Sequence, residues 1–149
     1  MKKLTLFSLL FLLLVACQNK ENTENVQQSI AQEKEDIPPE YLDETNYTGD
    51  KLEIVKLMNA RMRYLYEKDE KAYMSLIDPE SPVSGMAGSK VRKVISMGEI
   101  IIQEQKKLYQ GVVTITELRE NEEEASHIMV FWKKKADGDN AQWIFADID

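Results

Sequence analysis

Cysteine occurs once in this chain and histidine once. A lone thiol has no partner for an internal disulfide, and one thiol with one imidazole cannot build the Cys/His clusters that hold zinc. No serine triad is readable either, because His127 has no Gly-x-Ser-x-Gly turn to serve. Asp137, Asp139 and Asn140 do not follow the spacing of a calcium loop, since Gly138 falls between the two aspartates. No metal and no cofactor is therefore expected. Basic residues are also in short supply: 19 Lys and Arg stand against 26 Asp and Glu, for a net charge of −7. Such a surface is repelled by nucleic acid. Long apolar runs are missing as well. The longest uncharged greasy stretch, Leu4 to Ala16, has 13 residues. A helix of that length reaches about 20 Å at ~1.5 Å per residue, and a bilayer core needs about 30 Å.

What that stretch does have is a leader's layout. Met1-Lys2-Lys3 supplies a short positive start, the 13 residues supply an apolar middle, and Leu14-Val15-Ala16-Cys17 closes it. The last four residues resemble the lipobox of bacterial lipoproteins. The resemblance implies that the Ala16–Cys17 bond is cut and that the Cys17 thiol receives a diacylglyceryl group. One acyl chain holds a membrane marginally at ~0.8 kcal/mol per buried CH₂, and two hold it stably. Lipidation also removes a thiol that would otherwise stand exposed outside the cell. The mature chain would carry 133 residues and, without Lys2 and Lys3, a net side-chain charge of −9.

Three segments follow: a signal peptide over 1–16, a lipidated Cys17 with a flexible polar tether to 48, and a folded domain over 49–149. The stretch 18–48 is rich in Asn, Gln, Glu and Lys and poor in large apolar residues, so it cannot offset its ordering entropy. Asp50 with Glu53 reads as the capped start of a first helix, whose apolar face carries Val55, Met58, Met62, Leu65 and Tyr66. Asp69 is placed to cap a second helix that Asp78-Pro79 stops. A short third helix is expected from Ser89, through Val91, Val94 and Ile95. EIIIQEQKKLYQ, residues 99–110, reads as a strand in its first half. VVTITEL, HIMVFW and WIFADI then read as strands, with a turn over 136–140.

The last hairpin can be registered by parity. A five-residue loop pairs Lys135 with Ala141, which places Ile128, Val130 and Trp132 beside Ile144, Ala146 and Ile148. That wholly apolar set is expected to face the core. The opposite face carries His127, Met129, Phe131, Trp143, Phe145 and Asp147. It is too aromatic to be bare, so a loop, a strand layer or a partner subunit should cover it. These six residues are the candidate pocket or interface, and His127 with Asp147 would be its proton-transfer pair. Lys133-Lys134-Lys135 reads as a solvated strand end.

YLYEKDEKAYMSLIDPESP (64–82) and QWIFADID (142–149) resemble the helix–turn–helix and final strand of nuclear transport factor 2-like domains. The resemblance implies an α+β cone: two or three helices packed on a curved antiparallel sheet. Its enzymes work with an Asp/His or Asp/Tyr set in the cone's cavity. The reading is thus a membrane-anchored extracytoplasmic lipoprotein, in a Gram-positive host for preference. Its domain would bind an envelope protein or a second copy and catalyse nothing. A small enzyme or carrier using the cavity is the alternative.

Overall fold

A computed structural model describes residues 36–149. The expected signal peptide, Cys17 and the first part of the expected tether lie outside the described residues. The fold is α+β, with two helices on one face of a five-stranded antiparallel sheet: α1 (Gly49–Glu67), α2 (Glu70–Ser75), β1 (Val91–Met97), β2 (Ile101–Glu104), β3 (Leu108–Arg119), β4 (Glu124–Lys134) and β5 (Trp143–Ile148). The sheet order is β1-β3-β4-β5, and β2 pairs with the other half of the long β3.

Helix α1 forms where the apolar period placed it. Ile54, Val55, Met58, Met62 and Leu65 are all buried. Its end is sharp because Lys68 turns into the left-handed region at φ 57°, with its N–H on the Tyr64 carbonyl. Asp69 then caps α2 through the Ala72 N–H, as its position implied. The start of α1 differs from expectation. Thr48 is the N-cap and makes no side-chain bond there. Asp50 turns its carboxylate to the sheet instead, accepting from Trp143 Nε1 at 3.0 Å and Lys133 Nζ at 2.9 Å. After α2 the chain runs extended beside β5. The Phe145 N–H donates to the Leu76 carbonyl and the Asp78 N–H to the Phe145 carbonyl.

The third helix is not there: residues 91–97 are strand β1. Val91, Val94 and Met97 oppose Arg119, Glu117 and Ile115 of β3, with a register shift after Val91 and another after Val94. Each shift inserts one residue. The inward positions therefore recur every three residues rather than every two, and that period imitates a helix. The strand expected in the first half of 99–110 is β2.

The fold also takes in residues before 49. Residues 36–48 were expected to close the tether, yet they dock on the domain. Asn59, buried on α1, takes the Leu42 N–H on Oδ1 at 2.9 Å and gives its Nδ2 to the Leu42 carbonyl at 3.0 Å. Glu40 bridges β1 at Lys93. A polar composition does not preclude docking when one buried amide satisfies the backbone on arrival.

The last hairpin keeps the expected register over residues 131–133, loses it beyond, and inverts the face. Phe131 opposes Phe145, Trp132 opposes Ile144 and Lys133 opposes Trp143, as parity required. The buried side is the other one. Met129, Phe131 and Phe145 are fully buried and Trp143 nearly so, while Ile128 is 47% exposed. Helix α1, not a loop or partner, covers the aromatic face. Gly111 makes that approach possible: a Cβ there would stand 2.7 Å from Ile54 Cδ1. The Phe131 and Phe145 rings, 4.7 Å apart, fill the space beside it. Between Val130 and Phe131 the pairing slips, so that Ala146 is an extra residue in β5 and Val130 opposes Asp147. The bulge turns Ile148 inward against Met129 and Asp147 outward. Ile128, Val130, Trp132 and Ile144 are left on the side of the sheet away from α1.

Candidate functional site

The six residues singled out in the hairpin do not form one site. Met129, Phe131, Trp143 and Phe145 belong to the hydrophobic core. They are packing residues under α1 and not a surface that a second molecule can reach. His127 and Asp147 are parted by the bulge. His127 shares the inward parity of Met129, whereas Asp147 pairs with the outward Val130. The proton-transfer pair expected from straight alternation is thus replaced.

His127 has a different carboxylate beside it. Glu117 on β3 is 1% exposed, and its Oε2 lies 3.7 Å from His127 Nε2. Arg61 of α1, 4% exposed, clasps the same carboxylate, with Nη1 at 2.6 Å from Oε1 and Nη2 at 3.4 Å from Oε2. Arg119 Nη2 stands 3.4 Å from His127 Nε2, and Arg119 Nη1 is 3.6 Å from Glu123. A neutral His127 can accept from Arg119 through Nε2, and a protonated one faces Glu117.

The placement follows from local periodicity. Ile54, Met58, Arg61 and Leu65 lie one or two turns apart on one helix face, and Val113, Ile115 and Glu117 alternate on one strand face. Both charges were therefore legible as polar intrusions into apolar patterns, one of each sign. Neither stands out in the sequence, because each is a single charge within an apolar period and belongs to no cluster. Inside the domain the pair ties α1 to β3. Both carboxylate oxygens of Glu117 are taken by the guanidinium. One imperfection remains: Arg61 Nε is buried without a hydrogen-bond partner.

The three lysines expected as a solvated strand end are engaged instead. Lys133 Nζ is 2.9 Å from Asp50 and 3.5 Å from Glu53. Lys134 Nζ is 2.8 Å from the buried Asp78. Burial alone would push the Asp78 carboxyl up, but the Lys134 ammonium and the Glu80 N–H outweigh it and hold it below its usual range. Asp50 behaves alike: partial burial opposes ionisation, and the bonds from Trp143 and Lys133 win. Hydrogen bonding to Asp50 and Asp78 raises Lys133 and Lys134 in turn.

Two open depressions lie at the rim. One, of about 460 Å³, is bordered by Leu42, Tyr47, Lys51, Val94 and Glu99. The other, of about 480 Å³, is bordered by Asp78, Lys134, Asp137, Asn140 and Trp143. Among the described residues no His, Cys, Asp and Glu cluster has the geometry to hold a metal ion. Among them, too, no helix is long and apolar enough to cross a membrane. Comparison of the chain with protein-family models, with curated proteins and with solved structures finds no match in any of the three.

Proposed function

We propose that this chain is a membrane-anchored extracytoplasmic lipoprotein, held by a lipidated Cys17, whose nuclear transport factor 2-like domain acts by binding a macromolecule and not by catalysis. The leader pattern Leu14-Val15-Ala16-Cys17 supports the anchor. The binding role is carried by one observation. The space between α1 and the sheet, where a cone-shaped enzyme would hold its substrate, is filled with fully buried side chains, and the buried carboxylate there, Glu117, is clasped by Arg61.

Mass spectrometry of the N-terminal peptide from native membranes tests the anchor. The expected product starts at Cys17 and carries a diacylglyceryl group, and a Cys17→Ala variant leaves the membrane fraction. A product that retains Met1, or a bare thiol at position 17, ends the proposal. The alternative, a small enzyme or carrier, has one observation in its favour: His127 stands beside Glu117.

A further inference from the structure

The β2–β3 turn gathers positive charge in a chain that is acidic overall. The Gln105 N–H donates to the Leu108 carbonyl at 2.8 Å and closes the turn, with Lys106 and Lys107 between them. Both lysines are exposed, and among the described residues neither enters an ion pair. Lys133, Lys134 and Lys135, by contrast, each hold a carboxylate. Beside the turn lies a third depression, of about 420 Å³, bordered by the two lysines, Gln105, Leu108, Gln110 and Trp132. No carboxylate borders it, whereas Glu99 borders the first rim depression and Asp78 and Asp137 the second. The sheet register builds its floor. Gln103 opposes Gln110, Gln110 opposes Trp132 and Trp132 opposes Ile144. Directly opposed residues project to one face. The row stands on the side of the sheet away from α1, so an indole has amides in line with it and two ammonium groups at the strand end.

We infer that this corner binds a phosphate-bearing saccharide, as a unit of a longer glycan chain. Each part of the corner answers one feature of that ligand. The half-buried indole of Trp132 offers a flat apolar platform to the C–H face of a sugar ring. Amides carry donors and acceptors together, which suits hydroxyl groups. Two ammonium groups without an acidic neighbour in the depression take the phosphate as point charges. The volume falls within the ~300–1,000 Å³ of small-ligand sites. The net charge of −7 does not oppose the assignment. Physiological salt screens exposed charges beyond about 8 Å, so the corner itself sets the field that a ligand meets. An acidic peptide would engage the lysines but brings no rigid ring of C–H and O–H groups for the indole and the amides.

The inference rests on the binding role proposed above and names its partner class. The test uses the full chain, extracted from membranes in a non-ionic detergent, and saturation-transfer NMR. The probes are glucose 1-phosphate and a short oligomer of glucose joined through phosphodiesters. Glucose, inorganic phosphate and tetraglutamate are the comparisons. Glucose 1-phosphate is expected to bind about tenfold more tightly than glucose or inorganic phosphate, and the oligomer at least as tightly as the single unit. Lys106→Gln/Lys107→Gln, at two exposed positions, should weaken both probes about tenfold. Lys56→Gln/Lys71→Gln makes the same charge change at exposed positions elsewhere and should leave binding as it was. Trp132→Leu should weaken the sugar phosphate and spare inorganic phosphate. Binding indifferent to the loss of Lys106 and Lys107, or equally weakened by the loss of Lys56 and Lys71, overturns the inference. Inorganic phosphate held as tightly as the sugar phosphate overturns it and leaves a plain anion site. Tetraglutamate held as tightly overturns it in favour of an acidic peptide, and a preference for the single unit over the oligomer removes the glycan chain. Release of free glucose or phosphate from a probe would instead overturn the non-catalytic reading, and the anchor is judged apart, by the mass of the N-terminal peptide.

Discussion

The Arg61–Glu117 pair offers the sharpest test of how this interior is held together. Replacing Arg61 with Met leaves a carboxylate at 1% exposure with only His127, at 3.7 Å, to answer its charge. Breaking one side of a buried ion pair costs about 3–5 kcal/mol. At a urea slope of about 1.5 kcal/mol per M the unfolding midpoint should fall by about 2–3 M. Glu117→Leu should cost a similar amount, since it strands a guanidinium whose Nε already lacks a partner. The double variant Arg61→Met/Glu117→Leu should recover most of the loss. The pair's geometry is uneven, 2.6 Å on one arm and 3.4 Å on the other, so its net value over a well-packed apolar substitute is small. Urea titrations followed by the fluorescence of Trp132 and Trp143 give all four corners of the cycle. A single variant costing less than about 1 kcal/mol would mean that the charges are hydrated and not buried together. A double variant as unstable as the sum of the singles would show that the two side chains do not act as a pair.

Three further outcomes follow from geometry. Gly111→Ala should cost about 1–3 kcal/mol through overpacking against Ile54 Cδ1 at 2.7 Å, and Ile54→Val, which removes that methyl, should make the pair of changes cost less than their sum in the same titration. Asp78 is held below its usual carboxyl range in the folded chain, so its contribution is present above the unfolded value and is lost as pH falls through the folded one. Asp78→Asn should therefore lower the thermal midpoint at pH 7 and flatten its decline below pH 4, and an unchanged acid limb would refute that assignment. Asp69→Ala removes the bond to the Ala72 N–H and should cost about 1 kcal/mol in urea, whereas Asp69→Ser should restore most of it.

Local pattern carried much of this fold. The apolar stripe of α1, the Asp69 cap, the strands after Gly111 and the pairing of Phe131 with Phe145 all follow from spacings within a few residues of each other. The errors arise where pattern is interrupted. Two bulges gave β1 a period of three, and Val91, Val94 and Met97 then mimic a helix face. The bulge at Ala146 moved Asp147 away from His127. Which hairpin face is interior was not legible at all, because both are apolar. The deciding fact is the approach of Ile54 to Gly111, a contact between residues 57 apart. The docking of residues 36–48 turns on Asn59, a single amide in an apolar stripe. The candidate cluster was half legible: His127 stood out by its rarity, whereas Arg61 and Glu117 show only when helix and strand faces are set against each other.

The two bulges in β1 also shape how this border of the sheet meets a neighbour. An open strand border in any sheet invites runaway growth by strand addition from a neighbouring chain. A border whose rungs are broken twice within seven residues, and which Glu40 already straps, gives a neighbour no straight ladder to continue. Growth by strand addition along β1 is thereby disfavoured.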